Sequence, residues 1–170
     1  SHAEGLSSVA SGNISHAEGI LTIAAESGSH AEGGFSNGIG LQRGGYALSW
    51  GSHAEGSFTI ASGISSHVEG FYSQTFGYGS HAEGGYTDGF SYYSGGTAIG
   101  DGSHAEGELT ISSGISSHAE GVSTISAGVW SHAEGNQTLS SGTGSHAEGS
   151  QTIASNDYSH SEGTGTLASG

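Results

Sequence analysis

The chain has 170 residues, of which 34 are Gly and none is Pro, Cys or Met, and it sets one basic side chain, Arg43, against 16 carboxylates for a formal charge of -15. That balance leaves nothing to neutralise phosphates, so no nucleic-acid partner and no docking on anionic membranes are expected. Without cysteine there is no disulfide framework, thiolate metal site or thiol nucleophile, and without a long apolar run no membrane insertion by this segment is expected.

The sequence opens on Ser1-His2-Ala3-Glu4-Gly5, and this motif recurs to the end of the chain with Val68 and Ser161 as the only replacements. It contains all 11 histidines: His2, His16, His30, His53, His67, His81, His104, His118, His132, His146 and His160. Each is followed two residues later by a glutamate: Glu4, Glu18, Glu32, Glu55, Glu69, Glu83, Glu106, Glu120, Glu134, Glu148 and Glu162. The spacing is 14 residues, except for two intervals of 23, which are 14 plus 9. A unit this short is one coil of a solenoid.

After each motif comes a second segment, as in Thr22-Ile23-Ala24, Thr59-Ile60-Ala61, Thr110-Ile111-Ser112 and Thr124-Ile125-Ser126. Each coil is therefore expected to hold two strands of about five residues, closed by glycines such as Gly5, Gly12, Gly56 and Gly63 in positive-φ turns. The expected fold is an all-β parallel β-solenoid, a single repeat domain over 1–170 with 11 coils. Coils about 4.8 Å apart give a rod on the order of 50 Å long. Ser1 already begins a repeat, and the sequence reads as a segment of a longer protein.

Strand alternation puts Ser and Ala of the motif on one face and His and Glu on the other, and the small pair suits a narrow interior. In the second segment Thr and Ala then point inward, which turns Val9, Ile23, Ile60, Ile111, Ile125, Leu139, Ile153 and Leu167 outward. A column of that length seldom faces water, and a 14-residue coil cannot hide enough apolar area alone, so self-association along this column is expected. The alternative places the Ile column inside.

The pattern Ser-x-Ala-x-Gly-x-x-Ser/Thr-x-Ala/Ser-x-Gly, seen from Ser52 to Gly63 and from Ser117 to Gly128, resembles the head repeats of YadA-like trimeric autotransporter adhesins and related phage tail-fibre β-solenoids. The resemblance spans essentially the whole chain outside the two longer intervals. It implies a left-handed β-roll, a homotrimeric rod, a role in surface attachment, and an extracellular location on a cell surface or a virion fibre. The chain departs from that family in fixing His and Glu at positions the family usually leaves variable.

The residues just after the motif Gly drift freely, whereas His and Glu do not. Stacked in register, each carboxylate has like-charged neighbours about 4.8 Å above and below, which costs energy unless something compensates. Three compensations are open: a His–Glu hydrogen-bond ladder, donors from a partner chain, or a divalent metal such as zinc, nickel or copper. No cofactor is required by the fold, no unique pocket distinguishes one repeat from another, and no catalytic residue or enzymatic activity is expected. Charging of the His column near pH 6 would alter every rung together.

The two longer intervals match each other, Gly33-Gly34-Phe35-Ser36-Asn37-Gly38-Ile39 answering Gly84-Gly85-Tyr86-Thr87-Asp88-Gly89-Phe90. The insertions, about 34–45 and 85–96, are expected to be projecting hairpins with type I′ turns at Asn37-Gly38 and Asp88-Gly89. Both sit between the two strands of a coil, with the normal pattern resuming at Ala47 and Ala98. Residues 35 to 93 carry 12 of the 14 aromatics. Phe35, Arg43, Tyr46, Trp50, Tyr86, Phe90, Tyr92 and Tyr93 are the candidate ligand-binding residues, because exposed aromatics beside polar tips suit a host-surface glycan or a protein receptor. The alternative is that the aromatics form a small core beneath each hairpin.

Together these features suggest a structural fibre segment for surface attachment, adhesin-like or tail-fibre-like. Alternatives from other classes are an ice-binding solenoid using the ladder Thr22, Thr59, Thr110, Thr124, Thr138, Thr152 and Thr166, and a metal-binding His/Glu filament.

Overall fold

The computed structural model describes residues 1–36, 40–87 and 91–169, with Tyr92 placed by its backbone alone. Among these residues the chain forms two parallel sheets of eleven strands each, and no helix. Motif strands such as His16–Ile20 and His118–Val122 build one sheet, and segments such as Ile23–Ala24 and Ile125–Ser126 build the other. The parallel register sets each histidine on the next, His2 on His16, His16 on His30, His30 on His53. A period of 14 thus becomes one turn of a β-solenoid of about eleven coils. The second strands are shorter than the expected five residues, because only Ile or its equivalent and the following small residue join the ladder before the chain turns again.

The interior is as narrow as alternation demands. Ala17, Ala31, Ala54, Ala105 and Ala119 of the motif face Ala24, Ala47, Ala61, Ser112 and Ser126 of the second strand, all with no exposure. The Ser that opens the motif has a structural role, since its buried hydroxyl donates to the carbonyl three residues earlier, as in Ser66 to Gly63 (2.8 Å), Ser117 to Gly114 (2.7 Å) and Ser131 to Gly128 (2.7 Å). The same carbonyl also accepts the backbone N–H of that Ser at 3.2–3.3 Å, so the hydroxyl closes the turn twice over and is itself satisfied in the interior, where a larger residue would not fit.

Thr22, Thr59, Thr110, Thr124, Thr138 and Thr152 are also inside, at 0–1% exposure, so the threonine ladder of the ice-binding alternative is not presented to solvent. The apolar column lies outside, as alternation predicts, with Val9 49%, Ile111 36%, Ile125 37% and Leu167 63% exposed.

Turn chemistry corrects one expectation. The motif Gly adopts φ between 93° and 112°, a region closed to L side chains, and a Cβ there would collide with the carbonyl of the next motif Gly. Gly12 and Gly63, by contrast, are not at positive φ; they are glycine because a Cβ would strike Glu26 O or Gly77 O of the adjoining coil. The remaining positive-φ positions are filled largely by ordinary residues, among them Leu21, Phe58, Leu109, Ile14 and Trp130 at φ 55–58°, where the left-handed helical region admits a side chain at modest cost.

The nine-residue excesses leave their coils after Gly33 and Gly84 and rejoin at Gly45 and Gly96, which hydrogen-bond back to Glu32 O and Glu83 O. Phe35–Ser36 pairs antiparallel with Leu41–Gln42, and Tyr86–Thr87 with Tyr92–Tyr93. Asn37-Gly38 and Asp88-Gly89, the expected turns, lie outside the described residues. The resumption at Ala47 and Ala98 is as expected, both buried and in register with Ala24 and Thr75.

Candidate functional site

Two features stand out on this repetitive scaffold: the continuous His/Glu face and an aromatic cluster between the insertions. On the first, the sheet spacing stacks the imidazoles face to face, with centroids 4.6 Å apart and planes 2° off parallel for His30 and His53, and 4.7 Å and 2° for His104 and His118. The end pair His2–His16 departs from this and meets edge to face.

Of the three compensations, a His–Glu hydrogen-bond ladder along the chain is found, among the described residues, only at its first rung. His2 and Glu4 approach to 3.3 Å, but His16–Glu18, His53–Glu55, His118–Glu120 and His146–Glu148 stand 3.6–3.7 Å apart, beyond hydrogen-bonding distance. Nor are His53, His81, His104, His118 and His146 charged partners for the carboxylates at neutral pH. Loss of solvent, followed by the neighbouring imidazoles, holds each of them below the usual histidine range. The Nε2 atoms of the nine interior histidines are sealed from water and have no hydrogen-bond partner.

In the middle of the column three carboxyl groups instead bond one another. Hydrogen bonding to Glu69, then burial, pushes Glu55 up to about 7, and the same causes push Glu83 up to about 7. Glu69, which accepts from both, is held below the usual range. Across these three coils protonated Glu55 and Glu83 thus flank ionised Glu69, which offsets the like-charge repulsion there. Beside them runs a groove of about 650 Å³ lined by Glu4, Glu18, Glu32, Glu55 and the adjoining glycines, open because no side chain follows Glu.

The aromatic candidates divide between the two turn edges. Arg43 lies 4.8 Å above the Tyr46 ring and 5.4 Å from Phe58, and Phe58 stacks on Tyr72 at 4.5 Å, with Phe71 edge-on to both. Tyr86 stacks on Tyr93 at 4.4 Å. Phe35 and Tyr86 are exposed, whereas Phe71 is buried. The backbone of the second insertion binds Phe71, Gly95 N donating to Phe71 O. Trp50 does not join this group. It follows the second strand, on the opposite turn, where its Nε1 donates to Glu26 (2.8 Å) at the edge of a 230 Å³ hollow shared with Leu48, Ser49 and Ile64. Phe90 lies outside the described residues.

Sequence reading missed Phe58 as a partner of Arg43, and Phe71 and Tyr72 as the rings packed on Phe58. The signal was present: Phe58 and Tyr72 are one coil apart, so a 14-residue comparison stacks them. It also missed that the turn carrying Trp50 bears exposed Ile14, Ile64, Tyr78, Ile115, Trp130 and Tyr158 along the length of the rod.

No protein-family model matches this chain, and no curated protein matches it.

Proposed function

We propose that this chain is a structural rod segment of a fibrous surface-attachment protein, assembled as a homotrimer through the outward apolar column of the second sheet. The observation that carries the reading is that column itself. It runs from Val9 to Leu167, interrupted only where Gln74 and Thr97 take the equivalent positions, and stays part-exposed in a single chain, and a copy of the same rod presents a matching stripe at the same 4.8 Å repeat. The resemblance of the repeat to YadA-like heads and tail-fibre solenoids supports the same assembly and a left-handed coil, and it suggests an extracellular setting on a cell surface or a virion fibre. In this reading the insertions are projecting hairpins. Phe35, Arg43, Tyr46, Tyr86 and Tyr93 then offer apolar faces with polar tips to a host-surface glycan or protein receptor, and no enzymatic role is assigned to any residue.

Light scattering tests the assembly. Three times the chain mass is expected at micromolar concentration, falling to one with Ile111→Asp and Ile125→Asp together. A wild-type chain that is monomeric throughout would overturn the trimer.

A further inference from the structure

The unpartnered Nε2 atoms of the His column call for a partner that the chain's own hydrogen bonds do not supply. A neutral imidazole offers one lone pair and one N–H, and both need satisfying when the atom is shut off from water. The nearest carboxylate oxygens stand 3.6–3.8 Å away in His16–Glu18, His118–Glu120 and His132–Glu134, too far to accept a proton. Two ligands on one tetrahedral metal, each about 2.0–2.2 Å from it, lie about 3.3–3.6 Å apart. The His–Glu separation is close to that and longer than a hydrogen bond, whereas successive imidazoles, stacked 4.6–4.9 Å apart, have to tilt toward each other to share one ion.

A third donor comes from the next coil. His53, Glu55 and His67 bring one ligand atom each to within 4.8 Å of one another, and so do His81, Glu83 and His104, and His104, Glu106 and His118. We propose that the His/Glu face is a ladder of divalent transition-metal sites, each formed within one chain by the His and Glu of one coil and the His of the next. Two imidazole nitrogens with one carboxylate select zinc, copper or nickel over calcium or magnesium, which take all-oxygen sets. The half-exposed carboxylates leave a coordination position open to solvent or to an outside ligand.

The geometry also sets the loading. His104 belongs to two of these groups, yet its Nε2 has one lone pair, so neighbouring sites exclude each other. Metals therefore occupy alternate gaps, about 9.6 Å apart, two strand spacings. Eleven histidines taken in adjacent pairs give five metals per chain. Because all three ligands come from one chain, this count does not depend on trimer assembly, and the failure of either idea leaves the other standing.

The test is to saturate the tag-free chain with zinc chloride, desalt it, and measure zinc per chain by mass spectrometry, alongside copper electron paramagnetic resonance. About five zinc ions per chain and two nitrogen ligands per copper are expected. A plateau near eleven, or below one, overturns the proposal. The variant His104→Phe, His118→Phe, His132→Phe and His146→Phe keeps aromatic rings in the stack and leaves three adjacent pairs, so zinc should fall from five to three. An unchanged count in a folded variant also overturns the proposal, and if the variant does not fold, the wild-type count and the copper spectrum decide.

Discussion

Glycine at the end of each motif and glycine in the opposite turn answer different demands, and substitution separates them. Gly121 has φ 108° and faces Gly135 O, whereas Gly102 has φ 63° and finds only Ser116 Oγ at 3.5 Å. Gly121→Ala is therefore expected to lose about 3 kcal/mol or more, from a forbidden φ and a backbone collision together. Gly102→Asn should stay within about 1 kcal/mol, since Asn accepts the left-handed region. Urea denaturation of the two variants makes the comparison. The internal threonines give a residue-scale test of opposite sign. The Thr124 hydroxyl is buried without a protein partner, so Thr124→Val, which keeps the shape, is expected to raise stability by about 1 kcal/mol. An equal loss would mean that the hydroxyl is satisfied by ordered water.

At the scale of the element, the strands are short because the coil is short, and each is held by its neighbours above and below rather than by its own length. The insertions should then be accessories. Removing residues 34–42 rejoins Gly33 to Arg43-Gly44-Gly45 and restores a 14-residue coil. Circular dichroism is expected to keep its β signature, with the melting temperature changed by only a few degrees, whereas collapse of the whole rod would show that the excess residues are part of the core. Most of this level was legible in the sequence. The period gave the coil, and alternation gave the buried Ala and Thr and the outward Ile, because a two-residue pleat needs no tertiary information to decide its faces. What was not legible depended on approach between coils. Gly12 and Gly63 looked like positive-φ turns, but contact with the adjoining coil requires them. Trp50 looked like a neighbour of Tyr46 in sequence, but the intervening strand sends it to the other edge. The His–Glu ladder was not legible within the chain because it depends on side-chain reach along one strand face, where His and the Glu two residues on stop 3.6–3.7 Å apart in the interior coils.

For the whole molecule, the His/Glu face ties stability to pH, and the signs oppose. His53, His81, His104, His118 and His146 lie below their unfolded value of 6.5, so as pH falls through 6.5 the unfolded chain takes up protons first and stability drops. Glu55 and Glu83 lie near 7 against 4.5 unfolded, so their contribution is whole below pH 4.5 and is lost as pH rises to about 7. Glu69, held low, adds a loss on the acid side, below pH 4.5. Between pH 4.5 and 7 the two therefore oppose each other in thermal melts of the chelator-treated protein: as pH falls, the five histidines lower stability and the two glutamates raise it. Glu55→Gln with Glu83→Gln should remove the opposing contribution and make the fall in melting temperature from pH 7 to pH 5 steeper than in the unaltered chain. A melting temperature flat from pH 5 to pH 8 would remove the coupling.

The in-register stacking of each coil on the next also makes the rod a ruler. Because His104 sits on His118 and His118 on His132 in one frame, loss of the block 117–130 sets His104 on His132 with every other column still in phase, and the molecule shortens by one strand spacing, about 4.8 Å. A loss of thirteen or fifteen residues shears all the columns at once. Length can therefore change only in whole steps, and a lineage carrying this repeat can adjust its reach by duplication or deletion without redesigning a single contact.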